Sequence, residues 1–174
     1  MNIRLVNLIE EDFVDYCIPG MFLGFPTCSG KCNEECGEVV CQNQELQNAP
    51  KIDIPIEDLL ARYYKNSITK ALIFGGLEPF DSFVQVKELV KEFYEVPEFH
   101  DHHIVIYTGY YPNEIREDLR DLYSIPGSDM IIIKFGRYMP GVPSYDDPVL
   151  HVRLSSANQF AMRLPDAIKK LDED

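Results

Sequence analysis

The stretch Ala71-Leu-Ile-Phe-Gly-Gly-Leu-Glu-Pro-Phe-Asp81 decides how the chain reads as a fold. Its first four residues are apolar without alternation, the pattern of a strand buried on both faces, and the glycine pair marks where that strand stops. Asp81 stands where a helix N-cap is expected, and Phe83, Val86, Leu89, Val90 and Phe93 then recur at helical spacing as far as Tyr94. A second buried run, Ile104-Val-Ile-Tyr107, follows. Strand, helix and strand of this kind form a βαβ unit with parallel pairing and a right-handed crossover.

The alternation continues on both sides. Upstream, Ile56–Lys65 reads as an amphipathic helix, and Ile3–Leu8 and Met21–Phe25 as short strands. Downstream, Pro112 suits a helix N-terminus, with the helix running to about Tyr123. Met130-Ile-Ile-Ile-Lys134 is a further strand, Leu150–Leu154 a last one, and Pro165–Leu171 a closing helix. The strands are too few for an eight-fold barrel. The expected architecture is therefore α/β, a compact partial barrel with a mostly parallel sheet, in one domain over residues 1–174.

Ligands of such sheets bind beyond the carboxyl ends of the strands. Three unusual loops fall there. One follows Met21–Phe25 and carries the cysteines; Gly75-Gly-Leu-Glu78-Pro79 follows the second strand; Thr108-Gly109-Tyr110-Tyr111 follows the third. Gly75 and Gly76 let backbone approach a ligand, and Glu78 could accept hydrogen bonds from an ammonium group, although a plain tight turn would look the same. Ser155-Ser-Ala-Asn-Gln159 is polar and turn-like.

The first loop runs from Pro26 to about Pro55 and contains Cys28, Cys32, Cys36 and Cys41; the remaining cysteine, Cys17, reads as a core residue. A disulfide scaffold spreads its cysteines to staple distant segments, whereas clustered thiols in a chain without secretory features point to metal. Three thiolates can hold three irons of a [4Fe–4S] cluster and leave the fourth open to a small ligand. Four thiols also suit a closed zinc site, though zinc favours Cys-x-x-Cys pairs and none is present. Spacing alone leaves iron–sulfur, zinc and inert thiols open.

Bulk properties narrow the field. The net charge of −13 is spread along the chain, and a surface of that sign repels phosphate backbones, which argues against a nucleic-acid partner. No apolar run approaches the roughly 20 residues that span a bilayer, so no membrane partner is expected. The opening Met-Asn-Ile-Arg-Leu-Val-Asn-Leu-Ile-Glu-Glu lacks the features of a signal peptide, and a cytoplasmic location is the expectation. His100-Asp-His-His103 precedes a strand and so belongs at the opposite sheet edge, as a solvated turn. Asp146-Asp147 and Asp172-Glu-Asp174 read as solvated charge.

In order, Cys28-x-x-x-Cys32, Gly75-Gly76-x-Glu78-Pro79, Tyr107-Thr108-Gly109-Tyr110 and Ser156-Ala-Asn158-Gln159 resemble the radical S-adenosylmethionine proteins. The closing segment makes the chain most similar to the small activating proteins of anaerobic (class III) ribonucleotide reductase. Phe13-Val-Asp15 with Gly20–Leu23 resembles the family's first barrel strand and its approach, and Asp129–Lys134 the strand before its final loop. The resemblance implies an oxidoreductase of partial-barrel fold with two cofactors, a [4Fe–4S] cluster and S-adenosylmethionine. It implies reductive cleavage of S-adenosylmethionine to methionine and a 5′-deoxyadenosyl radical, which takes a hydrogen atom from a glycine of the large reductase subunit. It also implies a flavodoxin-like or other low-potential electron donor. By position, Cys28 and Cys32 match cluster ligands, Gly75, Gly76 and Glu78 match the segment that holds the methionine amino group, and Thr108 and Gly109 match ligand contacts. The family's third cysteine comes three positions after the second, with two residues between them, usually before an aromatic residue and Asn; here that position is Glu35. Here the third ligand is Cys36 by spacing or Cys41 by context, since Gln42-Asn43 follows Cys41, and the context favours Cys41. Leu77 is one residue extra in the glycine motif. Another glycyl-radical protein or a small molecule as target, and a zinc-binding interaction module, are the competing readings.

Overall fold

A computed structural model describes residues 1–174. In chain order its elements are β1 (Asn2–Leu5), β2 (Asn7–Asp12), β3 (Gly20–Phe25), α1 (Lys31–Cys36), β4 (Ile52–Pro55), α2 (Ile56–Lys65), β5 (Ala71–Gly76), α3 (Phe83–Glu95), β6 (His103–Tyr107), α4 (Arg116–Tyr123), β7 (Ile131–Phe135), β8 (Tyr145–Asp146), β9 (Arg153–Leu154), β10 (Phe160–Arg163) and α5 (Leu164–Glu173). The main sheet has six strands in the order β10-β7-β6-β5-β3-β2. Its four central strands β3, β5, β6 and β7 are parallel, and both edges are antiparallel. The fold is thus α/β with a mostly parallel sheet. No helix is long and apolar enough to cross a membrane.

Alternation along the strands sorts the core into two layers. Leu72 and Phe74 of β5, Ile104 and Ile106 of β6, and Ile131, Ile133 and Phe135 of β7 join Leu59, Val86, Leu89, Leu119, Leu122 and Ile168 of the helices in one large cluster. The intervening Ile73, Val105 and Ile132 face the other way, against Tyr16, Leu150 and Leu154. Helices α2, α3 and α4 link successive parallel strands and all pack on the first face. The chain therefore winds in one direction from β3 to β7. Toward the carboxyl ends, the opposite face is free for a site.

Several elements differ from the sequence expectations. Ile3–Leu8 is two strands, because the chain turns at Val6: β1 pairs with β4 in a separate ladder, and β2 becomes an edge of the main sheet. Leu150–Leu154 cannot be one strand because His151 sits at φ 56°, in the left-handed region. Only Arg153–Leu154 pairs, with Tyr145–Asp146, and the sheet closes instead on β10. Pro112 begins a 3₁₀ turn over Pro112–Glu114, and α4 starts later, at Arg116. The loop over 26–55 contains α1, a 3₁₀ turn over Gln44–Asn48, and β4. Cys17 is exposed and not a core residue.

Asp147 corrects the reading of Asp146-Asp147 as solvated charge. It is 2 % exposed, and its carboxylate accepts hydrogen bonds from the amides of Val149, Leu150 and Ala161 and from the Tyr145 hydroxyl. It fastens the excursion carrying β8 and β9 onto β10. Asp147→Ala leaves the three amides unmatched, each at about 1–3 kcal/mol, while the Tyr145 hydroxyl keeps the Gln159 carbonyl. We expect a loss of about 3 kcal/mol or more in urea unfolding, against a change near zero for Asp146→Ala.

Candidate metal and cofactor site

A cavity of about 460 Å³ opens beyond the carboxyl ends of the parallel strands. Cys28, Cys32 and Cys41 line it, together with Gly75, Gly76, Glu78, Thr108 and Gly109. Cys36 does not line it. The three loops expected at one edge do meet there, and Lys134, Arg137 and Gln159 complete the wall.

The cysteine loop is held from both sides. Leaving β3, Thr27 accepts from the Glu78 amide at 2.8 Å, and the Ser29 amide donates to Asp81 at 2.7 Å. The sulfur of Cys28 accepts from the Gly30 amide at 3.3 Å. Helix α1 then carries Cys32 and Cys36, between glycines at φ 76° and 69°. Asn33 reverses the chain after it, since its side-chain oxygen accepts from the amides of both Val40 (2.8 Å) and Cys41 (3.0 Å). This clasp brings Cys41 back beside Cys32 and leaves Cys36 on the excursion. Burial pushes the Cys28 and Cys32 thiols up, and the charge of Cys41 adds to both shifts.

Glu78 is the buried acid of the site, at 6 % exposure. It, and not Asp81, provides the side-chain cap after β5, accepting from the Phe80 amide at 3.1 Å at the start of a 3₁₀ turn. It also accepts from the Thr108 hydroxyl at 2.7 Å and the Gly109 amide at 2.8 Å. Burial raises its pKa to about 7, against the pull of these hydrogen bonds. Gly76 is required where it is: its φ is 82°, and a Cβ would stand 2.6 Å from Gly24 Cα of the neighbouring strand. At Gly109 a Cβ would lie 3.6 Å from a Glu78 carboxylate oxygen and 3.9 Å from the Cys32 sulfur, so this glycine keeps space open between acid and thiol.

Sequence reasoning missed two cations. Lys134, 7 % exposed at the end of β7, donates to the carbonyls of Gly136 (2.9 Å) and Thr108 (3.4 Å), and burial lowers its pKa to about 8. Its signal was a lysine ending an isoleucine run. Arg137 binds Glu114 through two hydrogen bonds of 2.8 and 3.0 Å, the Gly109 carbonyl at 2.9 Å, and Glu35 of α1 at 2.6 Å. It thereby fastens the cysteine loop to the loops after β6 and β7. Hydrogen bonding to Arg137 holds Glu114 down to about 2.

The Ser156-Ala-Asn-Gln159 segment shapes the wall from behind. Asn158 donates to the Arg137 carbonyl at 2.7 Å, Gln159 to the Gly136 carbonyl at 3.3 Å, and Ser156 accepts from the Met139 amide at 3.2 Å. Its role in this fold is to fix the loop that presents Arg137. The His100–His103 run lies at the other end of β6, where His102 and His103 hydrogen-bond Tyr63 and Tyr16. It contributes nothing to the cavity.

The family described as a 4Fe-4S single cluster domain matches residues 25–159, from the end of β3 to Gln159. The chain belongs to this 4Fe–4S single cluster family. A comparison with curated proteins finds no match. For the family's cluster, the thiols on the cavity wall are the donors of suitable chemistry. No three His, Cys, Asp or Glu side chains gather to hold a lone metal ion. A cation at the thiols would reverse the upward shift of Cys28 and Cys32, because coordination removes the proton that burial retains.

Proposed function

We propose that the chain is a radical S-adenosylmethionine activase that generates a glycyl radical on anaerobic ribonucleotide reductase. The observation that carries the reading is the meeting of Cys28, Cys32 and Cys41 with Glu78 in one cavity at the strand ends. Singly wound parallel strands, with helices on one face and the cavity toward the other, agree with a partial (β/α) barrel. Cys28, Cys32 and Cys41 are the cluster ligands in this proposal, and Cys36 is outside the set. When bound, the cluster supplies the electron that splits S-adenosylmethionine into methionine and the 5′-deoxyadenosyl radical for hydrogen abstraction from the partner's glycine.

The chain's own residues then have separate tasks. Glu78 accepts the methionine ammonium, with its orientation locked by Thr108 and Gly109. Gly75 and Gly76 keep the β5 turn close to the ligand, and Thr108 and Gly109 form the adjoining wall. A low-potential donor such as a flavodoxin is the expected electron source.

Anaerobic reconstitution with iron and sulfide tests this. The protein is expected to bind about four irons and, with dithionite and S-adenosylmethionine, to form 5′-deoxyadenosine. With the reductase subunit added, a glycyl doublet should appear in its electron paramagnetic resonance spectrum. Iron binding without 5′-deoxyadenosine would sink the radical chemistry. Cleavage without the doublet would redirect the proposal to another target.

A further inference from the structure

We propose that Lys134 sets the reduction potential of the cluster bound at Cys32, by holding against its inner side a buried positive charge that forms no ion pair. The inference rests on the ligation proposed above and goes beyond it to what controls the cluster's electron affinity.

The cations near the cysteine loop are matched unequally. Arg137 lines the cavity with Cys32, but two carboxylates, Glu35 and Glu114, are paired with it. Lys31 faces Glu114 at 3.4 Å, and Arg153 is exposed and pairs with Asp146. Lys134 differs from all of them. Its ammonium donates only to the neutral carbonyls of Thr108 and Gly136 and forms no ion pair. Of three N–H donors, two are thereby used. Glu78 lines the same cavity and acts on Lys134 through space, yet its own oxygens are turned to Phe80, Thr108 and Gly109.

Position gives the charge its leverage. Lys134 hydrogen-bonds the residue before Gly109, and a Cβ on Gly109 would be 3.9 Å from the Cys32 sulfur. Cys32 and Lys134 line the same cavity, and Lys134 is 7 % exposed. Reducing a cluster adds one negative charge. A buried cation beside it favours the reduced form, because little water is present to screen the pair. In a chain of net charge −13, a buried cation without an ion-pair partner at this point is the local exception.

The test is a potentiometric titration of the reconstituted cluster, followed by electron paramagnetic resonance and without any turnover. Lys134→Gln removes the charge while retaining a donor for the carbonyls, and Lys134→Arg retains the charge. Lys91→Gln, an exposed position on α3, is the control. With wild-type iron content in each, the expected result is a more negative midpoint for Lys134→Gln, a near wild-type midpoint for Lys134→Arg, and no shift for Lys91→Gln. A Lys134→Gln midpoint equal to that of wild type overturns the proposal. So does a Lys134→Gln protein that fails to hold iron while Lys134→Arg holds it, since the lysine would then build the site instead of tuning it. If the wild-type protein takes up no iron under the same conditions, it is the ligation that fails.

Discussion

Cys41→Ala, reconstituted anaerobically, is expected to lose most of its iron and nearly all S-adenosylmethionine cleavage, while Cys36→Ala retains both. The two thiols compete for one role, and the structure separates them by position. Cys41 lines the cavity together with Cys28 and Cys32, whereas Cys36 does not. Groups that merely support a metal ligand are worth on the order of 10–100-fold. Loss of a ligand itself should therefore cost about 100-fold or more in 5′-deoxyadenosine formation. Iron analysis and product yield on both variants decide the matter, and a Cys36→Ala protein that loses its iron would reverse the assignment.

Glu78→Gln should produce the second large effect, on ligand affinity and not on the cluster. The carboxylate carries three hydrogen bonds from Phe80, Thr108 and Gly109, which fix its orientation at the cavity wall. Glutamine can still accept from Phe80 and Thr108 through one oxygen, but it turns an amide donor toward the Gly109 amide. A hydrogen bond to a charged group is worth about 1.5–3 kcal/mol. At about 1.4 kcal/mol per tenfold, binding of S-adenosylmethionine should weaken about tenfold to a hundredfold. Equilibrium binding to the iron-loaded variant reads this directly. Unchanged affinity at full iron content would remove Glu78 from the ammonium site.

Local patterns made much of this legible. Ile56–Lys65, the apolar runs of β5, β6 and β7, and the placing of three loops at one sheet edge follow from period and run length alone. The family match covers the stretch holding those loops and supports the iron–sulfur reading of the cysteines. What escaped was long-range. The reversal at Val6 and the φ of His151 decide which strands pair, and neither leaves a mark in hydrophobic period. Asp147 looked solvated because its amide partners are backbone groups, invisible as residue types. Lys134 and Arg137 stood in plain view, but their burial depends on loops brought in from β6 and from the Ser156–Gln159 segment.

The Asn33 clasp has a consequence for how this stretch of chain can tolerate change. By joining Asn33 to Val40 and Cys41, one side chain closes a small ring of polypeptide, and the thiols on either side are set by the ring's closure and not by its circumference. The entropy of closing such a ring grows only with the logarithm of its length, about 0.6 kcal/mol for a doubling. Insertions between Gly37 and Val39, beyond α1 and its Glu35–Arg137 pair, should therefore be nearly neutral for metal uptake. Removing the single amide at position 33 would release the ring altogether. Spacing between the second and third thiols is thus a poor guide to ligation in this chain, and the residue directly after Cys32 is the better one.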